Sequence, residues 1–186
     1  MKVAGIDYSV SCPCICVFDT DDIFSFDKCQ FYFITGKVGL EPISGNLNIK
    51  FLPRKNYKDR PDVAWYNVLS HWAIDVLDEN DVERVFLEDY AFSRSSRSTT
   101  ILAENGGILK CQLLRNCIRY DTVASTAWKK HCLDKGNANK EFVLDSMGET
   151  GVGLLKEFNL KNAGQAPVQD IVDSYYICKF GIDTLL

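Results

Sequence analysis

The chain has 186 residues, 46% hydrophobic and 25% charged, with a formal net charge of −4, and that balance describes a soluble globular protein with enough chain to bury a core as a single domain over 1–186. No run approaches the roughly 18 consecutive apolar residues of a membrane span, and MKVAGIDYSV, with an acid at Asp7 and no apolar h-region, predicts no signal peptide. The net acidity gives no bulk attraction for nucleic acid, so any such binding must come from local basic patches.

Taken in order, KVAGIDYS reads as a buried strand and CICVFDT as a second after a short turn. IFSFDKCQFYFIT, with alternating and aromatic residues, reads as a third, which makes an antiparallel meander. Residues 36–60 are rich in Gly, Pro, Asn and Lys and read as a loop insertion. DVAWYNVLSHWAIDVL, from Asp62 to Leu77, has helical periodicity, and VERVFLEDY is a short buried strand ending at Glu88 and Asp89. A second helix is predicted over 98–116, with Ser98 as its N-cap. Its Gly106–Gly107 pair costs roughly 2 kcal/mol against alanines, and so suggests close approach of another backbone, either a subunit or a nucleic acid. CIRYDTVAS is a further strand, and TAWKKHCL and NKEFVLDSMGE are short helices. TGVGLLKEFNLKNAGQ reads as irregular, and a helix over 168–181 closes the chain. The sum is an α/β chain with a mixed sheet, antiparallel meander plus parallel strands, flanked by helices.

Eight cysteines without any CxxC pair argue against a structural zinc site and for reduced, buried core thiols in a cytosolic setting. The alternating spacing in CPCIC puts Cys12, Cys14 and Cys16 on one face of a strand. Bases cluster in 50–60, in FSRSSRS with Arg94 and Arg97, and in WKKH and DKGNANK, a pattern suited to phosphate contacts.

Four acids stand out. Asp7 ends the first strand, Glu88 ends the fourth, and Asp170 and Asp173 lie three residues apart on one face of the final helix. Like charges brought together are costly unless cations compensate them. Oxygen-only donors suit Mg²⁺ or Mn²⁺, and two such ions about 4 Å apart form a clamp for phosphoryl displacement.

In this order the motifs resemble those of the RuvC-like Holliday-junction resolvases of the RNase H superfamily, their bacteriophage-type members in particular. GIDYS resembles the first motif, VFLEDYAF the strand with its glutamate and following aromatic, and LAENGGILKCQL the helix rich in small residues. VASTAWKKHCLDKGNANKEFV resembles the lysine-bearing region, and QDIVDSYYICKFG the terminal D-x-x-D helix. The resemblance implies an RNase H-like fold with a five-stranded sheet and a homodimeric, Mg-dependent crossover junction endodeoxyribonuclease acting on branched DNA in the cytoplasm. It makes Asp7, Glu88, Asp170 and Asp173 the metal-binding catalytic acids. It assigns Lys140 and Lys129, with Lys130 competing for the latter slot, to DNA phosphates, and makes Tyr90 or Phe92 a candidate wedge at the junction centre. Asp89 remains a spare carboxylate, and 36–60 a candidate junction-facing flap. His71 and His131 read as structural, His131 with a phosphate contact as its alternative. An RNase H-like or flap nuclease, a non-catalytic nucleic-acid-binding relative and an actin-like ATPase are the competing readings.

Overall fold

In the computed structural model, which describes residues 1–36, 44–53, 62–89 and 96–186, one mixed sheet separates two helical layers. The strands are β1 (Lys2–Asp7), β2 (Cys14–Asp19), β3 (Gln30–Thr35), β4 (Leu47–Phe51), β5 (Val82–Glu88) and β6 (Arg119–Val123). Their order across the sheet is β4-β3-β2-β1-β5-β6. β1, β2 and β3 pair antiparallel, while β5 and β6 run parallel to β1 and β4 runs parallel to β3. The helices are α1 (Asp62–Glu79), α2 (Ser96–Arg115), α3 (Ser125–Leu133), α4 (Lys140–Asp145), α5 (Glu149–Glu157) and α6 (Val168–Leu185).

Strand alternation assigns each side chain to a layer. Ala4, Ile6, Ile15, Val17, Val85 and Leu87 face α1, whose Trp65, Tyr66, Leu69, Trp72, Ala73, Val76 and Leu77 form a helical stripe against them. Val3, Cys14, Cys16, Phe18, Phe31, Phe33 and Phe86 face α6. The same alternation puts Asp7 and Glu88 on the α6 side, and the register that sets Ile6 beside Leu87 brings both acids to one end of the sheet.

The predicted elements hold with five corrections. The sheet has six strands, because Leu47–Phe51 in the expected loop insertion pairs with β3. Asn46 Nδ2 anchors its entry by donating to Phe26 O and Cys29 O, both at 3.2 Å, and Glu157 accepts from Ser44 N at 2.7 Å and Ser44 Oγ at 2.6 Å. The third strand spans only Gln30–Thr35. A 3₁₀ turn at Phe26–Lys28 precedes it, and Phe24 and Phe26 pack instead on Tyr175 of α6. The second helix starts at Ser96, ahead of the expected cap. The stretch read as irregular contains α5, where Gly151 lies against the Leu144 carbonyl and Leu154 enters the core, so packing overrides the helix-weakening glycines. Of the thiols, Cys12, Cys14, Cys16, Cys29 and Cys178 are buried and Cys132 half-buried, but Cys111 and Cys117 are exposed; all are free.

Two glycines decide how closely α6 lies on the sheet. A Cβ on Gly5 would run into the backbone of Ser174 and Cys178, and one on Gly181 into the Phe86 ring. At Gly107, by contrast, a Cβ meets nothing within 4 Å among the described residues. Gly5→Ala should therefore cost about 3 kcal/mol, a melting-temperature loss of roughly 6–12 °C. Gly107→Ala should leave the isolated chain as stable or up to about 1 kcal/mol more stable. Thermal melts of the two variants check both; equal losses would show that the α6–β1 contact is not the tight one.

Candidate active site

Asp7 and Glu88 end neighbouring strands, and α6 crosses above them. The Gly5 contact with Ser174 and Cys178 sets the helix directly on β1, so Asp170 and Asp173, one turn earlier, project toward the same end. Ser174 Oγ lies 3.3 Å from Cys14 Sγ, a hydrogen-bond contact that ties that turn to the β2 residue opposite Asp7. The N-terminal turn of α6 also offers its positive dipole end to Asp170.

The four acids open partly onto the surface, yet protein surrounds each closely enough for burial to be the largest influence on its proton affinity. Asp7 is held well above the usual carboxylate range by burial and then by the charges of Asp170, Glu88 and Asp173. Asp173 is pushed up to about 7 by burial and by Glu88, with Asp170 adding a smaller push. Burial takes Asp170 to about 6, against hydrogen bonds from its own amide, Cys12 and Ser9 and against the Lys140 charge. Glu88 is raised by burial, against the Trp128 hydrogen bond and the charge of Lys129. The acids thus act on one another as a single electrostatic cluster.

The cations sort themselves by what they touch. Lys129 lowers the proton affinity of Glu88 and Asp173, and Lys140 that of Asp7 and Asp170, so both ammonium groups lie within electrostatic reach of the acids. The stem of Lys140 passes over Gly164, where a Cβ would stand 2.7 Å from Lys140 Cδ; with φ +79° there, glycine suits both backbone and space. Lys130 turns away and donates to the Asp134 carbonyl at 3.1 Å, which separates the two lysines that the sequence left in competition. Arg97 is exposed in the first turn of α2, with nothing bringing it to the acids. Tyr90, Phe92 and Arg94 lie outside the described residues. Asp89 faces Lys110 Nζ at 3.8 Å, His131 Nε2 contacts Asp183 Oδ2 at 3.0 Å, and His71 Nδ1 bonds the Asn67 carbonyl at 2.7 Å.

Several contributors escaped the sequence reading. Trp128 Nε1–H donates to Glu88 Oε1 at 2.9 Å, and Gln169 Nε2–H donates to Asp173 Oδ1 at 2.7 Å. A cleft of about 390 Å³ beside Asp7 and Glu88 is walled by Tyr8, Gly106 and Lys110. Buried Asn105 on α2 reaches the Tyr8 carbonyl at 3.4 Å. Gln169 stands four residues before Asp173, a helical spacing visible in sequence; the other pairings are long-range and had no such signal.

The donor set is four carboxylates, hard oxygen ligands whose mutual repulsion a divalent cation would relieve, so the residues fit Mg²⁺ or Mn²⁺. Among the described residues, no three acidic, His or Cys groups already stand in ion-holding geometry, and no helix is long and apolar enough to cross a membrane.

The fold and site define a class: an α/β, RNase H-like domain with carboxylates at the end of a mixed sheet. No protein-family model matches the sequence, and no curated protein does either. Solved structures match along nearly the full chain. Thermus thermophilus RuvC in complex with Holliday junction substrate aligns at TM-score 0.58 and 15% identity, over 98% of this chain and 92% of that one. The yeast mitochondrial Holliday junction resolvase aligns at 0.55 and 13%, over 96% and 76%. The fowlpox virus resolvase with Holliday junction DNA aligns at 0.53 and 12%, over 100% and 99%. The chain therefore shares the fold of the RuvC-like resolvases, in accord with the motif resemblance.

The raised acids fix the direction of a pH effect. With Asp170 and Asp173 at about 6 and about 7 in the fold and near their ordinary value when unfolded, the folded state holds more protons between roughly pH 4 and 7. Stability without divalent ions should then fall as pH rises through that window, opposite to the usual carboxylate effect. Asp173→Asn should flatten the fall and raise the metal-free melting temperature at pH 8 by about 4–8 °C, the equivalent of about 2 kcal/mol. A lower melting temperature for that variant at pH 8 would contradict the repulsion.

Proposed function

We propose that this chain is a divalent-metal-dependent, structure-selective endonuclease that resolves four-way DNA junctions. The observation that carries the reading is the electrostatic cluster of Asp7, Glu88, Asp170 and Asp173, with Lys129 and Lys140 acting on the same carboxylates. The fold lends support, since its solved neighbours include resolvases described with Holliday junction DNA.

The four acids would hold one or two Mg²⁺ or Mn²⁺ ions. Such ions, when bound, supply an activated water and stabilise charge developing on the scissile phosphate. The chain's own groups do the rest. The carboxylates fix where that charge is answered, and Lys129 and Lys140 hold the phosphate backbone beside them. Lys110, on the facing wall of the cleft, can leave Asp89 for a phosphate. Backbone contact without base-reading motifs suits recognition of shape rather than sequence. A four-way junction is two-fold symmetric, so paired nicks call for an isologous homodimer. The α2 surface around Gly107 has the open space for a partner.

The deciding experiment offers a synthetic four-way junction, a flap and an RNA/DNA hybrid side by side, with and without Mg²⁺. Paired nicking of the junction that requires Mg²⁺ is the expected result; cleavage of the hybrid alone would make the chain an RNase H-like enzyme. Asp7→Asn and Asp173→Asn should each reduce cleavage to background while junction binding stays within about threefold, because phosphate contacts rather than the acids supply affinity. Full activity in either variant would remove the acids from the mechanism.

A further inference from the structure

The cluster contains a neutral side chain that touches both its acidic and its basic halves. Trp128 is fully buried. Its Nε1–H donates to Glu88 Oε1 at 2.9 Å, while the Lys129 ammonium lies 5.2 Å from its ring centroid. Tyr176 stacks on the indole with centroids 5.9 Å apart and the planes inclined by 7°. Tyr176 is itself tied down. Ser146 Oγ gives its one proton to Val143 O at 2.6 Å, so the 2.7 Å contact with Tyr176 is a bond donated by the phenol. The indole is thus locked between α3, α4 and α6.

A buried tryptophan ordinarily satisfies its N–H on whatever acceptor lies near. Trp65 does that, donating to the Val10 backbone carbonyl at 2.9 Å. Trp128 instead gives its only polar hydrogen to one of the four clustered acids, and its π face to the lysine that acts on the same acid.

We propose that Trp128 is the positioning residue of this site: its indole N–H orients Glu88 for a divalent ion, and its ring seats Lys129 beside that ion for a phosphate. The inference rests on the reading of Glu88 as a metal ligand. With Oε1 accepting from the indole, Oε2 is the freer oxygen for the ion, and the hydrogen bond restrains the carboxylate from swinging away. Groups that hold a ligand in this way set metal affinity by about 10–100-fold.

Trp128→Phe keeps an aromatic ring against Tyr176 and deletes the hydrogen-bond donor. Calorimetry of the protein with Mg²⁺ alone should show affinity weakened about 10–100-fold. Junction cleavage should need correspondingly more Mg²⁺ and recover at high Mg²⁺, while junction binding in Ca²⁺ stays unchanged. Unchanged Mg²⁺ affinity in a folded Trp128→Phe protein overturns the proposal. The wild type supplies a second measurement should that variant not fold. Of the three tryptophans, one indole N–H resonance should shift on Mg²⁺ titration with the calorimetric midpoint, and the shift should vanish in Glu88→Ala. If Mg²⁺ binds and no indole resonance responds, the proposal also fails. The calorimetric and resonance arms use no DNA, so a wild type that binds Mg²⁺ but cuts no junction would defeat the resolvase reading and leave the role of Trp128 to be decided by these arms.

Discussion

The contact between α6 and β1 is the constraint on which the rest depends. Gly5 has no side chain to hold the helix off the strand, and the Ser174 and Cys178 backbone occupies that space. Asp170 and Asp173 thereby sit over the end of the strand that carries Asp7, and the parallel register of β5 adds Glu88. Alternation along the two strands does the remaining work, because an acid one residue earlier on either strand would face α1 and the opposite core. Placement of the cluster is thus a matter of backbone packing, decided far more by glycine and register than by attraction among the functional groups.

That placement works against folding. Burial and mutual repulsion both raise the proton affinity of these acids, so the fold keeps them together against the electrostatic preference of the isolated chain. The opposing terms are the two apolar layers, which bury α1 on one face and α6 on the other, and a few neutral donors aimed at the carboxylates. The net charge of −4 hides this local structure. The cations that matter, Lys129 and Lys140, come from the first turns of α3 and the start of α4, on the side of the sheet where the acids lie.

Much of this was legible in the sequence because it follows from periodicity. β1, β2 and β5 show as short apolar runs, α1 as a seven-residue stripe, and α6 as an amphipathic helix with two acids at its start. What escaped depended on partners distant in sequence. NLNIKF sits in a Gly- and Asn-rich stretch and becomes β4 only because β3 offers an open edge and Glu157, over a hundred residues away, clamps Ser44. TGVGLLKE carries two glycines that argue against a helix, yet Gly151 is needed to approach Leu144. The glycines of α2 suggested close approach of a subunit or a nucleic acid, and at Gly107 the described residues of the chain leave that space open. Lys129 and Lys130 were indistinguishable as neighbours in a string; the helix separates them, one toward Trp128 and the acids, the other onto the carbonyl of Asp134.

The pair of aspartates on α6 looks at first like a fault that a fold could correct with an arginine. Among the described residues none of the four acids is in an ion pair; their short-range partners are neutral, an indole for Glu88 and an amide for Asp173. A permanent salt bridge would neutralise the cluster, and it would also occupy the carboxylate oxygens. Neutral donors orient a carboxylate without cancelling its charge. Lysines held at a distance moderate the repulsion without blocking the oxygens. On the proposed reading, the uncompensated charge is what a hard divalent ion recognises, and the stability given up in the empty protein returns when the ion binds. The geometry of the donors therefore favours a cluster kept incomplete on purpose by its neighbours over one merely tolerated by the fold.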